Sequence, residues 1–412
     1  MGTAWIRIGL VGLSALGAAA CAGILGIDDR QLDTNLDGGS SGGSGGDSGG
    51  SSGGSSGGGS GSSSGGGSGG SSGSSSGGSS GSSSGSSSGG SGCADPCPMA
   101  MGLNHPFMMV ADDSNVYWTE FGDDLNSTNG SVKSCPVSGC GAGPMVYAVL
   151  QANPRGIAVD SQNVYWGTAA SGSINGAIWS CPIAGCTGGK PKMVAPANVP
   201  FQLALDNTYV YWADNYDDTV NRAPKAGGSD QVLNDAGGSL VLNNGQGCVV
   251  DSTYAYVTDY DYDLYRLPIA GGDLQAIYTQ TMGQEGPAAL TVDETHAYLG
   301  LQGSILQGPK TGMGTPLTIV SGVADPDDLK IDPATGMLYW SDWGSGTGTD
   351  GTVGKVPTDG GMFTLLHQAQ VTPEAVAVTG TYLFWLSNGT IPAGSMTGAA
   401  SPGTGILYRS AK

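Results

Sequence analysis

The chain has 412 residues, with 14 Lys and Arg against 34 Asp and Glu, for a formal charge of −20 at pH 7. A surface this acidic repels phosphate backbones and excludes nucleic acid as a partner, while leaving cations and basic ligands open. The 76 glycines and a hydrophobic share of only 38% say that part of the chain builds no core.

Residues 1–20 read as an export signal. Arg7 supplies a thin positive region, and Ile8 to Ala20 is an apolar run ending in small residues. The run is too short to span a bilayer as a mature helix. Ala18-Ala19-Ala20-Cys21 leaves two cleavage routes. One is an ordinary Ala-x-Ala signal-peptidase site, giving a secreted protein. The other is a lipoprotein signal in which Cys21 is acylated and becomes the first residue. Leu16, Gly17 and Ala20 make the stretch resemble a lipobox, with Ala18 where Leu is usual. We adopt the second route, so residues 21–37 are a lipid-anchored segment; several acyl chains together hold a membrane firmly. Ala22 does not resemble an inner-membrane retention signal, which points to the outer membrane of a bacterial envelope, with the leaflet left open.

Residues 38–92 are Gly and Ser with one interruption, Asp47. Such a stretch buries no apolar surface and is expected to be a disordered tether with a reach of roughly 40 Å. It would hold a folded head away from an anchored foot.

From Cys93 to Lys412 one pattern recurs: an apolar run, an Asp, a short turn, then an aromatic pair. The pairs are Tyr117-Trp118, Tyr165-Trp166, Tyr211-Trp212, Tyr256-Val257, Tyr298-Leu299, Tyr339-Trp340 and Phe384-Trp385, spaced by 48, 46, 45, 42, 41 and 45 residues. A period in the forties made of short strands predicts an all-β, seven-bladed β-propeller, one four-stranded blade per repeat. A Pro precedes the Asp column by six residues, as in Pro106/Asp112, Pro154/Asp160 and Pro200/Asp206; Gly245 takes its place before Asp251. Pro cannot donate to the ladder, so it belongs at the start of the first strand. The Asp caps the turn into the second strand. Gly405 to Tyr408 supplies the third strand of the last repeat, and no fourth follows. Pro98 to Met101 stands before the first repeat and is expected to fill that place, closing the ring and removing the open edge. A single closed ring of this kind is expected to be a monomer.

These repeats resemble the YWTD β-propeller of the low-density-lipoprotein receptor group. Glu120, Asp214, Asp259 and Asp342 fall in that motif's Asp column, and Thr119 and Thr258 in its Thr column. The resemblance covers roughly 300 residues and implies the propeller fold. That family has six blades where this chain counts seven, and Thr168, Leu301 and Ser387 replace the acid in three repeats. The whole layout, with Cys21 to Asp29 and the Gly/Ser tether, looks like envelope lipoproteins of myxobacteria. That likeness implies an envelope address and no activity.

Cys135-Pro-Val-Ser-Gly-Cys140 and Cys181-Pro-Ile-Ala-Gly-Cys186 are one unit in successive repeats. We read each as a disulfide across a hairpin turn, in keeping with export. A four-thiolate metal site would need the two pairs to converge, whereas they sit one blade apart. Cys93 and Cys97 could close a third loop, and Cys248 shares a column with Ile157 and Leu203, so it is expected as a buried free thiol.

The loops between second and third strands carry the chemistry. Phe121, Asp124, Tyr216, Asp217, Tyr260, Asp261 and Trp343 are expected on one face, beside the loops entering the first strands. Acids among aromatic planes suit a protein, peptide, amine or carbohydrate ligand. A Ca²⁺ site is the sharper alternative, and a solvated acidic rim the plainer one. The three histidines, His105, His296 and His367, fall at unrelated places in the repeat, so no Ser-His-Asp set is expected. The chain is therefore expected to be a binding or scaffold module with no catalytic residues and no required cofactor or metal. The alternatives are a metal-dependent hydrolase or lyase in the channel, and a surface protein that binds no small ligand.

Overall fold

A computed structural model describes residues 93–123, 128–169, 175–234, 237–279, 289–312, 314–345, 348–390 and 400–412. The signal, the anchor segment and the tether lie outside the described residues, as does Asp124. Among those described, no helix is long and apolar enough to cross a membrane.

Seven four-stranded antiparallel sheets form the blades of a propeller. Blade 1 runs outward through Pro106–Ala111, Asn115–Glu120, Gly130–Pro136 and Met145–Gln151. Blades 2 to 6 repeat that order, with inner strands at Pro154–Val159, Pro200–Leu205, Cys248–Val250, Ala289–Val292 and Pro326–Asp332. Blade 7 takes Pro373–Val378, Tyr382–Ser387 and Gly405–Ala411 from its own repeat. Its outer strand is Cys97–Leu103, from before blade 1, with Met101 opposite Ile406. The ring thus closes by pairing the start of the domain with its end, and the count is seven rather than the six of the YWTD group.

Aromatic pairs make the seams. Adjacent strand residues point to opposite faces, so each pair serves two interfaces. Tyr117 packs with Ile157, Val164 and Trp166 of blade 2, while Trp118 packs with Ala375, Phe384 and Leu386 of blade 7. Seven such clusters fill the seven seams. Trp118, Trp166, Trp212, Trp340 and Trp385 are all fully buried. Burial of side chains this size contributes about 2–3 kcal/mol each.

The Tyr of the pair does a second task. In blades 1 to 5 its hydroxyl donates to the Asp that follows the first strand, as Tyr117 to Asp112 at 2.8 Å, Tyr211 to Asp206 at 2.6 Å and Tyr298 to Asp293 at 2.7 Å. The other oxygen of the Asp accepts two turn N–H groups, as Asp206 does from Thr208 and Tyr209. Blade 7 loses both partners together. Thr379 stands in the Asp column and caps the turn through its hydroxyl, and Phe384 stands where the phenol would be.

At the same end of the ring, side chains cross each seam. Arg409 reaches Val137 O, Tyr147 reaches Ile183 O, Arg222 reaches Ile269 O, and Arg266 reaches Lys310 O. Lys225 bridges to Asp160, Lys412 to Asp332, and Gln307 to Thr358 O. Disulfides join Cys135 to Cys140 and Cys181 to Cys186 at two hairpin turns, and Cys93 to Cys97 beside the closing strand. Cys248 is free and buried opposite Val257, and burial pushes its thiol up to about 12.

The paired loss in blade 7 can be tested. Thr379→Asp together with Phe384→Tyr should stabilise the protein by about 1 kcal/mol more than the two single changes added, as one buried hydrogen bond is restored. Chemical denaturation of the four proteins in the cycle measures it.

Candidate functional site

Two rings of side chains meet at one mouth of the channel. Among the described residues, the first ring comes from the residue after the Pro or Gly that opens or precedes the inner strand in six blades: Phe107, Arg155, Phe201, Gln246, Asp327 and Glu374. The register explains their position. Pro200 lies opposite Asp214 but Leu203 lies opposite Trp212, so the inner strand holds one extra residue there. Blades 1, 2, 6 and 7 carry a register shift at the same place. Such a bulge re-aims a side chain, here out of the seam and toward the channel. Contacts confirm it: Phe107 of blade 1 and Phe201 of blade 3 lie 5.6 Å apart although blade 2 stands between them. Arg155, from blade 2, places its guanidinium 5.3 Å from the Phe121 ring and 5.1 Å from the Phe201 ring. Gly156 allows the close approach, since a Cβ there would sit 2.1 Å from Phe201 O.

The second ring is the residue just past each second strand. Its N–H donates to the loop entering the first strand: Phe121 to His105 O, Asn215 to Val199 O, Trp343 to Asp325 O, Asn388 to Thr372 O. The two rings touch where Phe121 meets Phe107 and where Asn388 Nδ2 donates to Glu374 Oε2 at 3.2 Å.

The mouth is chemically divided. Blades 1 to 3 supply three phenyl rings and a buried guanidinium, whose pKa burial lowers to about 10 despite Asp214 nearby. Blades 6 and 7 supply carboxyls. Burial, reinforced by Asp325, pushes Glu374 up to about 8. Burial and the surrounding acids Asp325, Glu374, Asp342 and Asp328 hold Asp327 well above the carboxylate range. Asp328 is raised by burial too, but it is fully engaged: it pairs with Lys330 and accepts the N–H groups of Leu329 and Val376, tying blade 6 to blade 7.

Unsatisfied buried polar atoms gather here. Asn215 Nδ2, both amide atoms of Gln246, Asp327 Oδ2, Trp343 Nε1 and Asn388 Oδ1 have no hydrogen-bond partner. Gln246 is 2% exposed and Asn388 1%. Native proteins leave few such groups, each at a cost of about 1–3 kcal/mol, and a cluster of them marks where a ligand or ordered water completes the bonding.

The residues singled out from sequence are distributed differently. Tyr216 is 55% exposed and Asp217 is exposed, accepting from Asn198 Nδ2 at 3.3 Å. Tyr260 and Asp261 are half-buried. Phe121 and Trp343 are 5% and 3% exposed, and Phe121 packs against Phe107 in the mouth. The acid column is structural. Asp214 accepts from the N–H groups of Asn198, Val199 and Tyr216, and Asp342 from those of Ala324 and Asp325, so each staples two loops together. Thr119 of the Thr column donates to Arg155 O across a seam. His105 has both ring nitrogens against the carbonyls of Gly122 and Ala400, His296 lies in the turn of Asp293, and His367 stacks on Trp385. Among the described residues no group of three acids, histidines or cysteines is arranged to hold a metal ion.

Arg155, Gln246, Asp327, Glu374 and Asn388 were not singled out. A partial signal existed: the position after the opening Pro or Gly carries Arg155, Gln246, Asp327 and Glu374 in strands that are otherwise mostly apolar.

No family model and no curated protein matches the chain. The fold is similar to solved propellers. The WD40 β-propeller domain of Doa1 aligns with a TM-score of 0.54 at 14% identity, over 76% of this chain and 96% of that one. A chain of the nidogen/laminin complex aligns with a TM-score of 0.39 at 18% identity, over 63% and 82%. The computationally designed Ika8 protein gives 0.48 at 13% identity, over 76% and 98%. At these identities the likeness concerns the fold alone.

Stability should fall as pH rises from about 4.5 to 8. Glu374 keeps its proton in the folded state up to about 8 but loses it near its ordinary value when unfolded, so the unfolded state binds fewer protons across that window. Asp327 acts in the same direction. Asp251, held down near 2 by Lys310 and turn N–H groups against the effect of burial, acts only below this range. Thermal midpoints from pH 5 to 8 should decline in the native protein and decline less in Glu374→Gln.

Proposed function

We propose that this protein is an anchored binding module of a bacterial envelope, with its ligand seated in the divided channel mouth. The observation that carries this reading is the cluster of unsatisfied buried polar atoms between a phenyl-guanidinium half and a carboxyl half. A site tuned only for stability would have filled these positions with apolar residues or paired them. The propeller supports the reading because its fixed blades hold residues from separate repeats in one rigid mouth. The acidic rim, with Tyr216, Asp217 and Asp261, would guide a basic partner toward that mouth. We assign the molecule no catalytic step, a membrane attachment through Cys21, and a place in the outer membrane with the Gly/Ser stretch as its stalk. The partner is a protein, a peptide or a carbohydrate.

Gln246→Leu separates binding from stability. It removes two unsatisfied atoms, so the ligand-free protein should melt higher, yet it should lose the component that the wild-type protein retains from envelope extract. Asp113→Asn, in an exposed turn at the far end of the ring, should retain it. Retention unaffected by Gln246→Leu places the ligand elsewhere, and consumption of the retained ligand would instead favour a hydrolase or lyase. Attachment is tested separately: Cys21→Ala should move the protein from the membrane fraction to the soluble one.

A further inference from the structure

The carboxyl half of the mouth has acceptors without donors, and this deepens the reading of the mouth as a ligand site, on which it rests. Asp327 Oδ2 is buried with no partner. Glu374 uses Oε2 to accept from Asn388, and among the described residues no other donor reaches its carboxyl. Asn388 is 1% exposed, its Nδ2 lies on Glu374, and its Oδ1 has no partner. Asp327 and Glu374 occupy the same bulged column in adjacent blades and feel each other's charge. Asp327 and Glu374 are half-buried at the mouth, while Asp327 Oδ2 and Asn388 Oδ1 themselves lie beneath the surface. Lys330, the nearby cation on the same strand, is already committed to Asp328.

We propose that this half of the mouth binds a primary ammonium group, with Asp327 Oδ2, Glu374 Oε1 and Asn388 Oδ1 as its three acceptors. A primary ammonium carries three N–H donors and no acceptor, which matches three oxygens that lack donors. A quaternary ammonium has no N–H and would leave all three oxygens unsatisfied. Charge argues the same way. Two neighbouring carboxyls surrounded by Asp325, Asp328 and Asp342 repel one another when ionised, and a bound cation removes that repulsion. Ligand binding therefore releases protons near neutral pH, and affinity rises as pH rises toward 8.5.

The test uses the purified full-length protein and isothermal titration at pH 6 and 8.5. Butylammonium, an Ala-Lys-Ala peptide with blocked termini, tetramethylammonium and butanol are the probes. Butylammonium should bind at one saturable site, at least tenfold more tightly at pH 8.5, with a heat that varies with buffer ionisation enthalpy. Tetramethylammonium and butanol should bind at least tenfold more weakly. If the peptide binds and butylammonium does so less well, the natural source is a lysine side chain; the reverse order indicates a free amine. Asp327→Asn and Glu374→Gln should each weaken binding at least tenfold, and Asp113→Asn, in an exposed turn at the far end of the ring, should leave it unchanged. Both variants remove a buried acid, so both should fold, and thermal melts confirm it. Amine binding that survives both variants, or absence of any amine binding, overturns the proposal. If amines fail while the envelope component is still lost on Gln246→Leu, the mouth remains the ligand site and only the ammonium assignment falls. If neither binds, both fall.

Discussion

The ring depends on alternation within one dipeptide. Because neighbouring strand residues point to opposite faces, a Tyr-Trp pair on the second strand supplies one bulky ring to each adjoining seam. Tyr117 enters the seam with blade 2 and Trp118 the seam with blade 7. A blade with one large residue would pack on one neighbour and leave a gap on the other. Blades 4 and 5 use Tyr256-Val257 and Tyr298-Leu299, and their seam is filled instead by Tyr262, Ile277, Leu290 and Leu306. The Tyr hydroxyl then finds the Asp of its own blade, so the same residue fixes both the seam and the turn.

Unpartnered polar atoms occur in that frame too, at Trp212 Nε1, Trp340 Nε1 and His367 Nε2, but the channel mouth gathers more of them. At the far end of the ring, backbone carbonyls and turn carboxylates find partners across the seams, from Arg409, Tyr147, Arg222, Arg266, Gln307 and the lysines. At the mouth, Gln246, Asp327, Trp343 and Asn388 bury polar atoms that nothing completes. Asp327 and Glu374 are forced to hold protons that carboxyls ordinarily give up. A rigid ring can carry such a region because the seams over-determine it. The contrast between the two ends is the main structural reason to place function at one of them.

The bulge that opens the inner strands connects frame and mouth. Without it, the residue after Pro would point into a seam, where Arg155 or Glu374 would meet only apolar side chains. With it, Phe107 and Phe201 reach past blade 2 to touch, and Glu374 meets Asn388. In five blades one extra residue turns a structural column into a channel-facing one.

The sequence by itself determined the blade count, the outer strand borrowed from Cys97–Leu103, the turn caps and the seam aromatics. These are periodic or local features: a turn is written in four residues, and a repeat is visible as spacing. The coupled change at Thr379 and Phe384 was legible on the same ground, since both columns could be read and only their contact was missing. Only the tertiary structure decided that Phe121 and Trp343 are buried, because they lie past the strand, where a loop bond rather than the strand period holds them. It alone also brought Arg155 between Phe121 and Phe201, and set Asp327, Glu374 and Asn388 together. Those residues come from separate repeats, and periodicity does not encode a bulge. Their meeting is a property of the closed ring, since closure is what turns a column in the sequence into a circle of side chains around one opening.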